Sequence, residues 1–205
     1  MKKRQVVYLL IAIIVFILSL FLLDKDISKF FSDIRGETLN AFFMIFAYAG
    51  TILMFIFLTS LFLWRDHKRK WILPLWIAMV IASLTAFILK FIVQRQRPYQ
   101  LGVVSTLPIL EKVSHLAWDF SFPSSHAIIA FSAIPVLSKE FPRFKYAWII
   151  FASLVALSRV YFGLHFMSDV IAGAVMGYLI GFFIVKIEDK NKFWERLYKS
   201  IFWKR

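Results

Sequence analysis

Apolar residues fall in six runs, separated by polar connections rich in lysine and arginine. The runs cover residues 6–23, 41–64, 71–93, 124–138, 146–162 and 169–185. Most approach the roughly twenty residues that carry a helix across a bilayer, and the fourth is shorter. The pattern predicts an all-α bundle of six transmembrane helices, one membrane-embedded domain over 1–205. The first run follows Met1-Lys2-Lys3-Arg4 and ends in Asp24-Lys25-Asp26 without a small-x-small cleavage site, so it reads as a retained span. Residues 24–40 read as a polar connection with room for a short surface helix. Trp64 and Trp71 border a basic connection and read as interface anchors. Gly173, Gly177 and Gly181, spaced four apart, predict close helix packing within the molecule in preference to a dimer seam.

Composition agrees with this class. The chain has 205 residues, 60% of them hydrophobic, and a mean hydropathy of +0.73. It contains no cysteine, which excludes disulfides, thiolate metal sites and cysteine nucleophiles. A net charge of +13 invites nucleic acid as a partner, but the placement of the charge points elsewhere. Seventeen of the 25 lysines and arginines lie on one side of the six-span layout: three at 2–4, four at 65–70, three at 139–145 and seven from 186 on. The positive-inside rule puts that side, with both termini, in the cytoplasm of a multi-pass plasma-membrane protein.

Three polar stretches interrupt the apolar pattern, all on the opposite side. Ser158-Arg159 to His165 and on to Ser168-Asp169 sets three ionisable groups between two spans. Such groups are costly at membrane depth and mark a functional site, unless the loop simply meets solvent. His165 and Asp169 are four apart, so on one helical turn the carboxylate can accept a ring N–H. Gly163 permits the turn that would bring Arg159 back toward them. Upstream lie Lys90 to Arg95-Gln96-Arg97-Pro98, and Phe122-Pro123-Ser124-Ser125-His126 at the start of the fourth run.

In order and spacing, Lys-x6-Arg-Pro, Pro-Ser-x-His and Ser-Arg-x5-His-x3-Asp resemble the three-part signature of the type 2 phosphatidic acid phosphatase superfamily. The resemblance covers Lys90 to Asp169, with one departure: Ser125 stands where the family most often has glycine. A serine there keeps the backbone N–H and narrows the pocket slightly. The resemblance implies a phosphohistidine mechanism in which His165 is the nucleophile and Asp169 orients it. His126 is then the general acid and base. Lys90, Arg97, Arg159, Ser124 and the N–H groups of Ser125 and His126 would bind the phosphate, with Ser158 in support. Arg95 is a candidate contact for a second phosphate or a lipid headgroup. The partners implied are a lipid phosphate and the bilayer, not nucleic acid; oligomeric state is not legible.

Neither a cofactor nor a metal is expected, because the cations occupy the place that a metallophosphatase gives to clustered carboxylates and histidines. One alternative sets His115 and Asp119, in the long connection, beside His126 as a metal site; the other has them shape the substrate entrance or meet solvent. The basic tail, 192–205, reads as an amphipathic helix on the inner leaflet or as a frayed end. The expected substrate is undecaprenyl diphosphate, ahead of phosphatidylglycerophosphate or phosphatidic acid. A phosphotransferase, or a non-enzymatic headgroup binder or transporter, is the competing class.

Overall fold

Apolar runs in a bilayer must satisfy their own backbone groups, and a helix does so within one segment. The computed structural model describes residues 21–49, 52–63, 70–105 and 120–202, and among these there is no strand. The helices are α1 (21–33), α2 (Glu37–Ala49), α3 (Ile52–Leu63), α4 (Ile72–Val93), α5 (Ser125–Glu140), α6 (Lys145–Tyr161), α7 (Met167–Asn191) and α8 (Phe193–Phe202). A short 3-10 turn, Pro142–Phe144, leads into α6.

The centre of the bundle is α5, which packs against α4, α6 and α7. Half of its buried positions are small: Ala127, Ala130, Ser132 and Ala133 lie among Ile128, Ile134, Val136 and Leu137. The closest approach is between α5 and α7. A Cβ added to Gly173 would lie 2.9 Å from the Ser124 carbonyl oxygen, one on Gly177 2.1 Å from that of Ile128, and one on Gly181 2.2 Å from that of Ser132. The glycine stripe therefore lies along one row of α5 carbonyls, an intramolecular seam of the kind its spacing predicts. Large apolar side chains point the other way. Val80, Leu84, Phe87, Ile88 and Ile92 on α4, with Val175, Leu179 and Phe183 on α7, are exposed. Small residues inside and large apolar ones outside is the arrangement of a membrane-embedded bundle.

Among the described residues, three stretches are long and apolar enough to cross a membrane: Ile72–Val93, Pro142–Tyr161 and Met167–Asn191. With 16 residues, α5 is about 24 Å long. Of the other predicted spans, the first lies mostly outside the described residues, and the second is described as α2 and α3. The chain passes back and forth between two ends. Lys70, Lys139, Asp189 and Glu195 meet at one of them, through Lys70–Glu195 at 3.3 Å and Lys139–Asp189 at 2.7 Å. At the other end lie the last turns of α4 and α6 and the first turns of α5 and α7, where the three polar stretches gather.

Three expectations change. The connection 24–40 is largely helix: α1 runs on to residue 33, and Asp24 is buried because it has a cationic partner inside the protein. Trp71 is no interface anchor; at 2% exposure it packs in the core with Phe62, Leu75 and Leu137. Trp64 lies outside the described residues. The tail is helical, but Trp194 and Leu197 pack against Ala78 and Ile184, so part of its apolar face is spent on the bundle. The Glu188 carboxylate accepts the Trp194 N–H at 2.8 Å and holds the start of α8 there.

Overpacking a tight seam costs about 1–3 kcal/mol. Gly177→Ala is therefore expected to lower the thermal midpoint of the detergent-solubilised protein by several degrees. Gly36→Ala, whose Cβ would meet no described atom within 4 Å, should leave it nearly unchanged.

Candidate active site

Each signature is shaped by how its helix stops or starts. Lys90 is in the last turn of α4, which ends at Gln94 in the left-handed region (φ 49°), with the Gln94 N–H donating to the Lys90 carbonyl at 2.9 Å. That reversal sends residues 95–98 across the end of the bundle. The Lys90 ammonium donates to the Phe120 carbonyl, and Arg97 Nη1 donates to the Leu164 carbonyl at 3.0 Å. Both cations thereby brace the loops that carry the other two signatures.

The turn after α6 does what Gly163 predicts. The Leu164 and His165 N–H groups both donate to the Arg159 carbonyl, at 3.0 and 3.2 Å, which folds the chain back over the helix end. Gly163 itself has φ +70°, and a Cβ there would lie 2.5 Å from a Val104 methyl. A residue with a side chain would be strained in that conformation and obstructed as well. Arg159 and His165, six apart in sequence, are thereby close enough to interact electrostatically.

The pairing of His165 with Asp169 differs from the expected single helical turn. His165 precedes α7, whose N-cap is Phe166, and Asp169 lies in the first turn. There its Oδ2 accepts the Phe166 N–H at 2.8 Å, which orients the carboxylate from the backbone. His165 Nδ1 stands 3.8 Å from Asp169 Oδ2. Ser121 bridges the gap: its hydroxyl donates to Asp169 Oδ2 and its oxygen lies 3.5 Å from His165 Nδ1. With the serine proton committed to the carboxylate, the oxygen is an acceptor for Nδ1–H. That tautomer leaves Nε2 with the free lone pair.

Ser124 is the N-cap of α5, and its N–H donates to the Asp169 carbonyl at 3.2 Å, joining the second signature to the third. Its buried side-chain oxygen has no hydrogen-bond partner among the described residues. Ser125 and His126 follow in the first turn of α5, where backbone N–H groups and the helix dipole favour an anion. Lys90, Arg97 and Arg159 all act electrostatically on both imidazoles, so the five groups share one small region. Burial first, and then Arg97, Lys90 and Arg159, hold His165 well below the ordinary histidine pKa. The ring is a neutral base at neutral pH, the state a nucleophile needs.

Two residues are placed otherwise than expected. Ser158 donates to the Val155 carbonyl at 2.6 Å, within its own helix. Arg95 faces carboxylates with both arms of its guanidinium: Nη1 donates to Asp169 Oδ1 at 2.6 Å and Nη2 to Asp24 Oδ2 at 2.7 Å. The spacings do not reveal Ser121 or Asp24: Ser121 lies 44 residues from His165, and Asp24 lies 144 residues from Ser168. A carboxylate at the end of an apolar run was the one available signal for Asp24. His115 and Asp119 lie outside the described residues.

Known proteins share this architecture. The model of the PAP2 superfamily matches residues 71–193. An undecaprenyl-diphosphatase from Sulfolobus acidocaldarius is 32% identical over 169 residues, covering 81% of this chain and 79% of that protein. Among solved structures, the transmembrane PAP2-type phosphatidylglycerolphosphate phosphatase from Bacillus subtilis superposes with a TM-score of 0.69 at 24% identity, over 88% of this chain and 96% of its own. LpxE from Aquifex aeolicus does so with a TM-score of 0.65 at 30% identity, over 80% and 95%. The chain belongs to the PAP2 superfamily.

If Ser121 links the two groups as its contacts indicate, Ser121→Ala should lower turnover by roughly tenfold to a hundredfold, the scale reported for outer partners of metal-ligand histidines. The Michaelis constant should stay within about threefold, since Lys90, Arg97 and Arg159 are untouched. Steady-state kinetics on the purified variant would check both.

Proposed function

We propose that this PAP2 phosphatase removes the terminal phosphate of a lipid diphosphate, with undecaprenyl diphosphate as the first choice, through a phosphohistidine at His165. The observation that carries the reading is the meeting of two imidazoles, three cations and a buried carboxylate at one end of the bundle. The long match to an undecaprenyl-diphosphatase favours the diphosphate over a monoester such as phosphatidic acid or phosphatidylglycerophosphate.

In the first step the His165 Nε2 lone pair forms a bond to phosphorus as the bond from phosphorus to the lipid phosphate oxygen breaks. Lys90, Arg97 and Arg159 neutralise charge on the transferring group, and the Ser124 hydroxyl with the first N–H groups of α5 completes the cradle. His126 gives the departing oxygen a proton. In the second step His126 takes a proton from water, whose oxygen attacks phosphorus. The P–N bond breaks, inorganic phosphate leaves and His165 is again neutral. Asp169, with Ser121, holds the tautomer and offsets the positive charge of the phosphorylated ring. No metal enters these steps.

The whole chain, 1–205, acts as one domain with six spans. Both termini face the cytoplasm and the site faces outward, an orientation supported by the bias of lysine and arginine. Because the site end carries Leu101 and the opposite end Lys145, an impermeant thiol reagent applied to intact cells should label Leu101→Cys and spare Lys145→Cys. The reverse pattern would turn the site to the cytoplasm.

The two histidines can be separated by chemistry. His165→Ala should abolish phosphate release from every lipid, whereas general acid–base help is worth about 10²–10⁴ in rate. A diphosphate expels a weakly basic phosphate monoester and needs little of that help, while a monoester expels a basic alkoxide. His126→Ala given undecaprenyl diphosphate should therefore accumulate acid-labile phosphoenzyme in a burst that stalls. Given phosphatidic acid, it should form almost none. Equal slowing with both lipids would remove His126 as the leaving-group acid, and label on His165→Ala would remove the nucleophile.

A further inference from the structure

A half-buried guanidinium beside the site is divided between two carboxylates. Arg95 Nη1 donates to Asp169 Oδ1 at 2.6 Å and to Ser168 Oγ at 2.7 Å; Nη2 donates to Asp24 Oδ2 at 2.7 Å. Asp24 also accepts the Ser168 N–H at 3.0 Å and the Ser168 hydroxyl. Asp24 is 1% exposed and Asp169 0%. Phe166 and Phe21 cover the guanidinium, with ring centres at 4.2 and 4.9 Å.

We propose that Asp24, from helix α1, is a positioning residue for the reaction at His165: by holding one arm of Arg95 it keeps Asp169 Oδ2 free to face Ser121 and His165. This rests on the reading of His165 as nucleophile. An arginine facing a single carboxylate prefers a bidentate pair, with two parallel N–H···O bonds. Asp24 prevents that pair by taking Nη2 for itself, so Asp169 spends one oxygen on Arg95 and leaves Oδ2 to Ser121 and the Phe166 N–H.

The charge count leads the same way. Arg95 with Asp169 alone is neutral and would offer little field to an imidazole already surrounded by Lys90, Arg97 and Arg159. With Asp24 the trio is net anionic, and it sits on the side of His165 that becomes positive when Nε2 is phosphorylated. Burial strengthens that field, because little water intervenes to screen it. A mere tether between α1 and α7 would need only the hydrogen bonds from Ser168 to Asp24, not a shared cation.

The test uses the full chain in detergent, with undecaprenyl diphosphate labelled in its terminal phosphate, and measures the single-turnover rate of phosphoenzyme formation. Asp24→Asn keeps the shape and removes the charge, and should slow formation by roughly tenfold to a hundredfold, the scale of partners one step from a reacting histidine. Adding Arg95→Gln releases Asp169 from its undivided cation, so the double variant should be faster than Asp24→Asn alone, a non-additive recovery that a structural tether would not show. A rate for Asp24→Asn within about threefold of the unmutated protein would overturn the proposal, as would a double variant no faster than the single one. Should Asp24→Asn fail to fold, the charge-balanced double variant decides: a rate within about tenfold of the unmutated protein supports the proposal, and a slower one overturns it. The unmutated protein is the separate control. If it forms no phosphohistidine at His165, the nucleophile reading fails, whatever the Asp24 variants do.

Discussion

The site depends on how closely α5 can approach α7. At Gly173, Gly177 and Gly181 the two backbones come so near that a single methyl group would strike the carbonyl oxygens of Ser124, Ile128 and Ser132. The uppermost of these contacts lies at the site itself. Ser124 caps α5, its carbonyl lies against Gly173, and its N–H reaches the Asp169 carbonyl. The distance between the start of α5 and the histidine–aspartate turn is thus set by a packing contact. In a bilayer, where lipid is as apolar as leucine, small residues and backbone proximity do what hydrophobic burial does in water.

The second constraint is electrostatic. Four cations, two imidazoles and two carboxylates gather at this end, and buried charge is tolerated only when each group has a partner. Arg95 is the charge partner of both carboxylates, and main-chain groups supply many of the others. Lys90 and Arg97 rest on Phe120 and Leu164, while Asp169 accepts from Phe166. These bonds pin the loops to the helix ends, and they settle where each charge sits before any phosphate arrives. Such preorganisation is what a phosphoryl-transfer site needs, since most of its catalysis is positioning and charge stabilisation.

Much of this was legible from the order of residues. Helical class, the ends at which the polar stretches meet, the turn at Gly163 and the glycine seam all follow from local pattern: apolar run length, a residue able to adopt positive φ, and small residues one turn apart. The same local reasoning misplaced Trp71, whose indole packs inward although it borders a basic connection. It also read Asp24 as the polar limit of a span. In both cases the error is the same: a residue next to a connection was assumed to face the membrane surface, and a partner from another helix drew it inside.

By itself the sequence marked the candidate groups and the helix ends near which they would lie, because the bilayer imposes helices and the spacing of charged residues then sets where they emerge. Tertiary structure alone decided how those groups are wired. His165 and Asp169 are neighbours by sequence, yet Ser121 stands between them, 44 residues from the histidine. Arg95 sits two residues from Arg97, yet it faces two carboxylates while Arg97 reaches the Leu164 carbonyl. A hydrogen bond depends on position to within a few tenths of an ångström and on the competing partners that packing brings within reach. Neither can be read from periodicity or spacing along one chain.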